Sequence, residues 1–175
     1  MINIKFDNNI LQKAVELSHT IPSDIKNSIR DGEGTLVGFI GEILVSEYLG
    51  VNLQNTYDYD LVYRNVKIDV KSKEVGKNPK ADPTPRPEYE CSISAYNTKQ
   101  QCHAYVFTRV DVGRQNAWIL GWKGKNEYFE KSIFRHKGQI DPNSGRRQHT
   151  FPCDCYQMTI GELRSIESIK KFDSD

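Results

Sequence analysis

Residues 35–49 read TLVGFIGEILVSEYL, a stretch whose apolar side chains cover every side of a helical wheel instead of one stripe. A helix of this kind must be enclosed by other elements. Thr35 is placed to cap it and Gly50 to end it. Glu42 sits in the middle, where an ionised carboxylate needs a charge partner or a donor.

The flanking segments supply the enclosing material. Asp7, Asn8 and Asn9 offer caps for an amphipathic helix carrying Ile10, Leu11, Ala14, Val15 and Leu17, which Pro22 would stop. Residues 23–30 suggest a second short helix, closed by the breakers of residues 31–34. Residues 57–63 and 66–72 alternate apolar and polar side chains around Arg64 and Asn65, the pattern of a β-hairpin with a two-residue turn. A proline-rich loop is expected over 73–87 and a third strand over 89–95. One helical turn follows at 97–101, then a central strand at 104–110 and another strand at 117–122. A short helix at 126–135, a polar loop at 138–150 and a late strand at 155–159 complete the series. Thr159 and Glu162 have the spacing of a capping box for a terminal helix. With 175 residues the expectation is one domain spanning 1–175, its core at about 35–110 and helices and strands added on either side.

Strand periodicity sends Val66, Ile68 and Val70 to one face of the hairpin and Lys67, Asp69 and Lys71 to the other. A two-residue turn at Arg64 and Asn65 pairs Tyr63 with Val66, Leu61 with Ile68, and Asp60 with Asp69. Like charges facing each other across a ladder destabilise it by about 0.2–1 kcal/mol, more when buried, and invite a compensating cation. Carboxylate oxygens suit Mg²⁺ or Mn²⁺, and Mg²⁺ takes one or two carboxylates and completes its shell with water and phosphate. Lys71 beside such an ion would orient or help deprotonate an attacking water. The plainer alternative pairs Lys71 with Asp58 on a solvated strand face. Asp58 and Asp60 share a face about 7 Å apart, and the register favours Asp60 as the ligand.

The segments GFIGE (38–42), YDYDL (57–61) and IDVKS (68–72) resemble the PD-(D/E)xK nuclease superfamily, over about residues 35–110. The resemblance implies a restriction-endonuclease-like core: a helix, three antiparallel strands, a helix and a fourth strand, with a central mixed sheet of four or more strands flanked by helices. It implies a metal-dependent nuclease, with Asp60 and Asp69 binding Mg²⁺ or Mn²⁺, Lys71 supporting the nucleophilic water, and Glu42 joining from the helix. Val70, between Asp69 and Lys71, is counted with the metal set. Gln100 or Gln101 would face the site, as a glutamine does in exonuclease-like members, and Glu90 and Ser92 could border it. Tyr59 stands where the motif nominally has proline. The partner implied is nucleic acid, DNA foremost, with pairing of two copies left open. A resolvase-like endonuclease and a non-catalytic nucleic-acid-binding module of the same fold are the alternatives.

The net charge of +1 gives no global signature of nucleic-acid binding, so local clusters must carry it. Lys73, Lys77, Lys80 and Arg86 would let the loop after the motif track a phosphate backbone. A second basic set, Lys123, Lys125, Lys131, Arg135, Lys137, Arg146 and Arg147, is interleaved with Trp122, Tyr128 and Phe134 as if to stack bases. His149, Cys153 and Cys155, with His136 or Cys102 and His103, are a weak zinc pattern because no paired Cys-x-x-Cys supports them; small packed thiols are the simpler expectation. The first residues lack the pattern of a secretory signal and no apolar run reaches the roughly 20 residues of a membrane span, which points to the cytoplasm and to no membrane partner.

Overall fold

The computed structural model describes residues 1–20, 33–54, 56–75, 78, 80–142 and 148–172. The expected helix at 23–30, and Lys77, Arg146 and Arg147, lie outside the described residues. The chain runs through strand β1 (Ile2–Lys5), helix α1 (Asn8–Thr20), helix α2 (Glu33–Leu49), and strands β2 (Leu61–Tyr63), β3 (Val66–Glu74) and β4 (Glu90–Ser94). Strands β5 (Ala104–Asp111) and β6 (Asn116–Gly124), helix α3 (Lys125–Lys131), and strands β7 (Ile133–Arg135) and β8 (Cys155–Thr159) follow. Short 3₁₀ turns cover Ala95–Lys99, Ile160–Glu162 and Ile166–Lys171.

A mixed five-stranded sheet in the order β1-β6-β5-β3-β2 forms the centre, with β3 and β5 parallel and the other neighbours antiparallel. Alternation along its strands builds two cores. Ile68, Val70, Val106 and Ile119 meet Val45 and Leu49 of α2 on one face. On the other face Tyr105, Phe107, Trp118 and Leu120 meet Ile93, Tyr128 and Met158 of the second layer. Helix α1, capped by the Asp7 carboxylate on the amides of Asn9 and Ile10, packs Ile10 and Ala14 with Ile40, Ile43 and Leu44 of α2. Helix α2 is thus enclosed between α1 and the sheet, as its all-round apolarity requires. It starts at Glu33, so Thr35 lies inside it and not at its cap.

Four expectations need correction. Residues 57–60 are not strand: the Thr56 hydroxyl accepts from Tyr59 N (3.0 Å) and donates to Tyr59 O (2.7 Å), a local turn that competes with the ladder. The strand at 90–94 does not join the hairpin; β4 pairs with β8, which pairs with β7, in a separate three-stranded sheet. The expected antiparallel pairing of three consecutive strands is therefore not formed. The motif strand also continues through Glu74, because β5 runs alongside it to Val110, so Lys73 is a strand residue and not part of the loop. Residues 160–162 make a 3₁₀ turn whose first amide, Thr159 N, donates to the Glu162 carboxylate (2.8 Å), so the capping signal starts a turn and not an α-helix. Strand β1, pairing with β6 at the sheet edge, has no counterpart among the expected elements. Among the described residues no helix is long and apolar enough to cross a membrane.

Candidate active site

The hairpin turn takes the form its residues dictate. Arg64 (φ 47°) and Asn65 (φ 67°) both adopt left-handed backbone, as a two-residue turn matched to strand twist requires. The register follows: Tyr63 pairs with Val66 and Leu61 with Ile68. Asp60 lies one residue beyond the ladder. Its amide donates to Ile68 O (2.9 Å), its carbonyl accepts from Gln54 N (2.7 Å), and its Oδ2 accepts from Val70 N (2.6 Å). These three bonds aim its carboxyl at β3 beside Asp69. Asp58 turns away, accepting from the Gln101 amide (3.0 Å).

Asp69 is 3% exposed. Its Oδ2 lies 2.5 Å from Lys71 Nζ but receives no aligned hydrogen bond, and its Oδ1 accepts from Gln100 Nε2 at 3.3 Å. Lys71 therefore pairs with its neighbour two positions back on the same strand, not with Asp58. Gln100 is the clamp: buried, it also accepts from Lys71 Nζ (3.2 Å) and donates to Tyr57 O (3.1 Å). Lys125 Nζ in turn donates to the Gln100 carbonyl. Gln101, one residue on, is exposed and spends its side chain on Lys99 O (3.0 Å), so it stands outside the cluster.

Glu42 reaches the same cluster from α2. Burial first, then the charge of Asp69, raises its pKa from 4.5 to about 7, with Lys71 opposing. Burial, then Glu42 and Asp69, holds Asp60 well above the usual carboxylate range against the Val70 amide and Lys71. Burial also raises Asp69, while Lys71, Gln100 and Asp60 pull it down through the charge and hydrogen bonds they offer. Three carboxyls thus share one lysine, so each raises the cost of ionising the others. No family model matches this chain, and comparison with curated proteins finds no match to it.

The structure brings together Glu42, Asp60, Asp69, Lys71 and Gln100, and leaves the other candidates apart. Val70 contributes only backbone, since its side chain is buried in the helix-facing core and its amide is spent on Asp60. Lys73 is exposed two residues past Lys71, beside Arg109 of β5. Glu90 and Ser92 both accept from Gln157 across the β4–β8 ladder, away from the cluster. The second basic set does not form a stacking surface: Trp122 and Tyr128 are core residues, Lys123 is buried against Glu127, and Lys131 pairs with Glu127 as well. All four cysteines are free thiols, and among the described residues no three His, Cys, Asp or Glu side chains stand grouped as a metal cage. Lys125, which fixes Gln100, carries no signal in sequence beyond one basic residue among several.

The raised carboxyl at position 42 makes a prediction about stability. A group whose pKa is higher folded than unfolded binds its proton more tightly in the native state. Its contribution is complete below about pH 4.5 and is lost as pH rises through about 7. Glu42→Gln keeps the shape and removes the ionisation. In urea unfolding with EDTA, the variant should match the parent at pH 5 and exceed it by on the order of 2–3 kcal/mol at pH 8. An equal gap at both pH values would rule out the buried ionisation.

Proposed function

We propose that this cluster is the active site of a metal-dependent nuclease that hydrolyses phosphodiester bonds of DNA, on a core of restriction-endonuclease type. The observation that carries the reading is the excess of acid: three buried or half-buried carboxyls around one lysine. Among the described residues no three His, Cys, Asp or Glu side chains cage a cation by themselves, so the reading rests on a pair of carboxylates, the hard oxygen donors such an ion takes. Asp60 and Asp69 would hold Mg²⁺ or Mn²⁺, with Glu42 adjoining, and two carboxylates suffice because water and phosphate complete a Mg²⁺ shell. When bound, the ion supplies Lewis-acid polarisation of the phosphoryl group and the positive charge that the acids lack.

The remaining roles belong to the chain. Lys71, held between Asp69 and Gln100, orients the attacking water and offers its charge to the phosphoryl oxygens as they become more negative. Glu42, titrating near 7, is suited to take the proton that the water loses. Gln100 fixes the lysine so that little reorganisation is needed during the reaction.

The test is incubation of the purified protein with linear, circular, single-stranded and branched DNA, each with Mg²⁺, Mn²⁺ or EDTA. Cleavage with either metal and none in EDTA is the expected result. Intact DNA in every metal-containing reaction would refute the nuclease reading.

A further inference from the structure

Among the described residues, Tyr57 (69% exposed) and Tyr96 (70%) are the two most exposed large hydrophobic side chains; Tyr57 is hydrogen-bonded to Gln100 through its carbonyl, and Tyr96 lies in the turn that leads into Gln100. Tyr57 O accepts from Gln100 Nε2 (3.1 Å), the side chain that also holds Asp69 and Lys71. Tyr96 sits in the 3₁₀ turn Ala95–Lys99, which Gln100 N closes on Asn97 O (3.2 Å), and its own amide is capped by Ser94 Oγ (3.3 Å). Both backbones are pinned by hydrogen bonds while both rings project into solvent.

The neighbouring tyrosines show what a structural role looks like in this protein. The Tyr59 ring packs on the second-layer core with Lys67 Nζ 5.0 Å from its centre, and the Tyr89 ring carries Arg109 at 5.4 Å. Tyr57 and Tyr96 have no such cover. A large apolar ring left exposed on a fixed backbone releases ordered water, an entropy gain, and gives up little conformational entropy on meeting a flat partner.

Resting on the nuclease reading, we propose that Tyr57 and Tyr96 form an aromatic rim that stacks unpaired bases of a DNA strand and delivers the adjoining phosphate to Asp69 and Lys71. Stacking, not charge, favours an unpaired strand over a duplex. The net charge of +1 gives neither form of DNA a global electrostatic grip, and the three carboxyls oppose a phosphate until a cation joins them. Stacking depends on neither term and needs bases that are not already paired.

Binding separates this inference from the nuclease reading. The full chain is titrated, by fluorescence anisotropy in EDTA and again in Ca²⁺, against a short oligothymidylate, a base-free strand with the same number of phosphates, and a duplex of equal length. The oligothymidylate should bind at least about 10-fold more tightly than the base-free strand and more tightly than the duplex. Tyr57→Ala and Tyr96→Ala should each weaken it by about 5-fold to about 150-fold, the range of one lost stack, and Tyr57→Trp and Tyr96→Trp should restore it. Equal binding of the base-free strand, preference for the duplex, alanine variants that bind like the parent, or no strand bound in either condition would each overturn the rim. DNA cleavage with unchanged binding by the alanine variants removes the rim and keeps the nuclease. Base-dependent binding with no cleavage of any DNA keeps the rim and removes the nuclease.

Discussion

Asp69→Asn should reduce DNA cleavage by at least about 10³-fold, the scale on which transition-state charge stabilisation is lost, while leaving the protein folded. The amide keeps the Gln100 contact in shape but carries no charge for a cation or for Lys71. Because Asp69 is buried and its ionisation is opposed by desolvation, removing that charge relieves the native state as well as disabling it. Lys71→Met should cost activity on the same scale with the opposite effect on stability. It takes away the cation that Glu42, Asp60 and Asp69 all feel, and leaves buried acid uncompensated. Breaking a buried pair from one side costs about 3–5 kcal/mol, so the lysine variant should unfold at lower urea than the asparagine variant at pH 8, and the gap should close toward pH 5 as the acids protonate. Initial cleavage rates and urea midpoints at the two pH values measure both effects. Full activity in both variants would show that the cluster is not the active site.

The other large effect concerns how Glu42 reaches the sheet. A Cβ added at Gly41 would lie 2.0 Å from Ser72 Oγ and 2.6 Å from Thr108 Oγ1, two hydroxyls already bonded to each other at 2.8 Å. Helix α2 therefore touches β3 and β5 through bare backbone at this point. Gly41→Val must push the helix outward or turn both hydroxyls away, an overpacking cost of about 3 kcal/mol that exceeds the helix propensity gained over glycine. It should also lower cleavage, since Glu42 is the next residue. Gly38→Ala is the control: its added carbon meets nothing nearer than Glu42 Oε1 at 3.7 Å, so it should be neutral or stabilising by up to about 1 kcal/mol. Similar urea midpoints for Gly41→Val and the parent would mean that the close approach is not required.

The parts of this arrangement legible in sequence are those set by local rules. The two-residue length of the turn, with Asn65 suited to left-handed backbone, gave the hairpin register, and period-two alternation separated Ile68 and Val70 from Asp69 and Lys71. The all-round apolar segment had to be an enclosed helix, and it is. Asp60 was legible as a neighbour of Asp69 but not in its means of support, because the Thr56 turn and the Val70 amide replace the expected ladder pair. Distant pairings left no trace. Nothing in residues 90–94 distinguishes a partner at 66–72 from one at 155–159, and only tertiary packing decides it. The basic residues around Trp122 and Tyr128 fit the plainer expectation of buried aromatics under a polar surface: strand and helix geometry turn those rings into the core while Lys123 and Lys131 pair with Glu127. Gln100 and Gln101 are adjacent and chemically identical, and only the 3₁₀ turn before them determines which one faces inward.

The parallel pairing of β3 with β5 bears on how the protein folds. The hairpin is a local structure able to form early, and it already contains Asp69 and Lys71, with Asp60 at its end. Gln100 joins them only when the chain from Ile68 to Ala104 has closed into the parallel pair, a loop whose entropy must be spent before its contacts are gained. Glu42 waits on the packing of α2 against the same two strands. The acid cluster is therefore completed by non-local contacts, and its electrostatic cost falls on the finished native state and not on the unfolded chain, where the same carboxyls are hydrated.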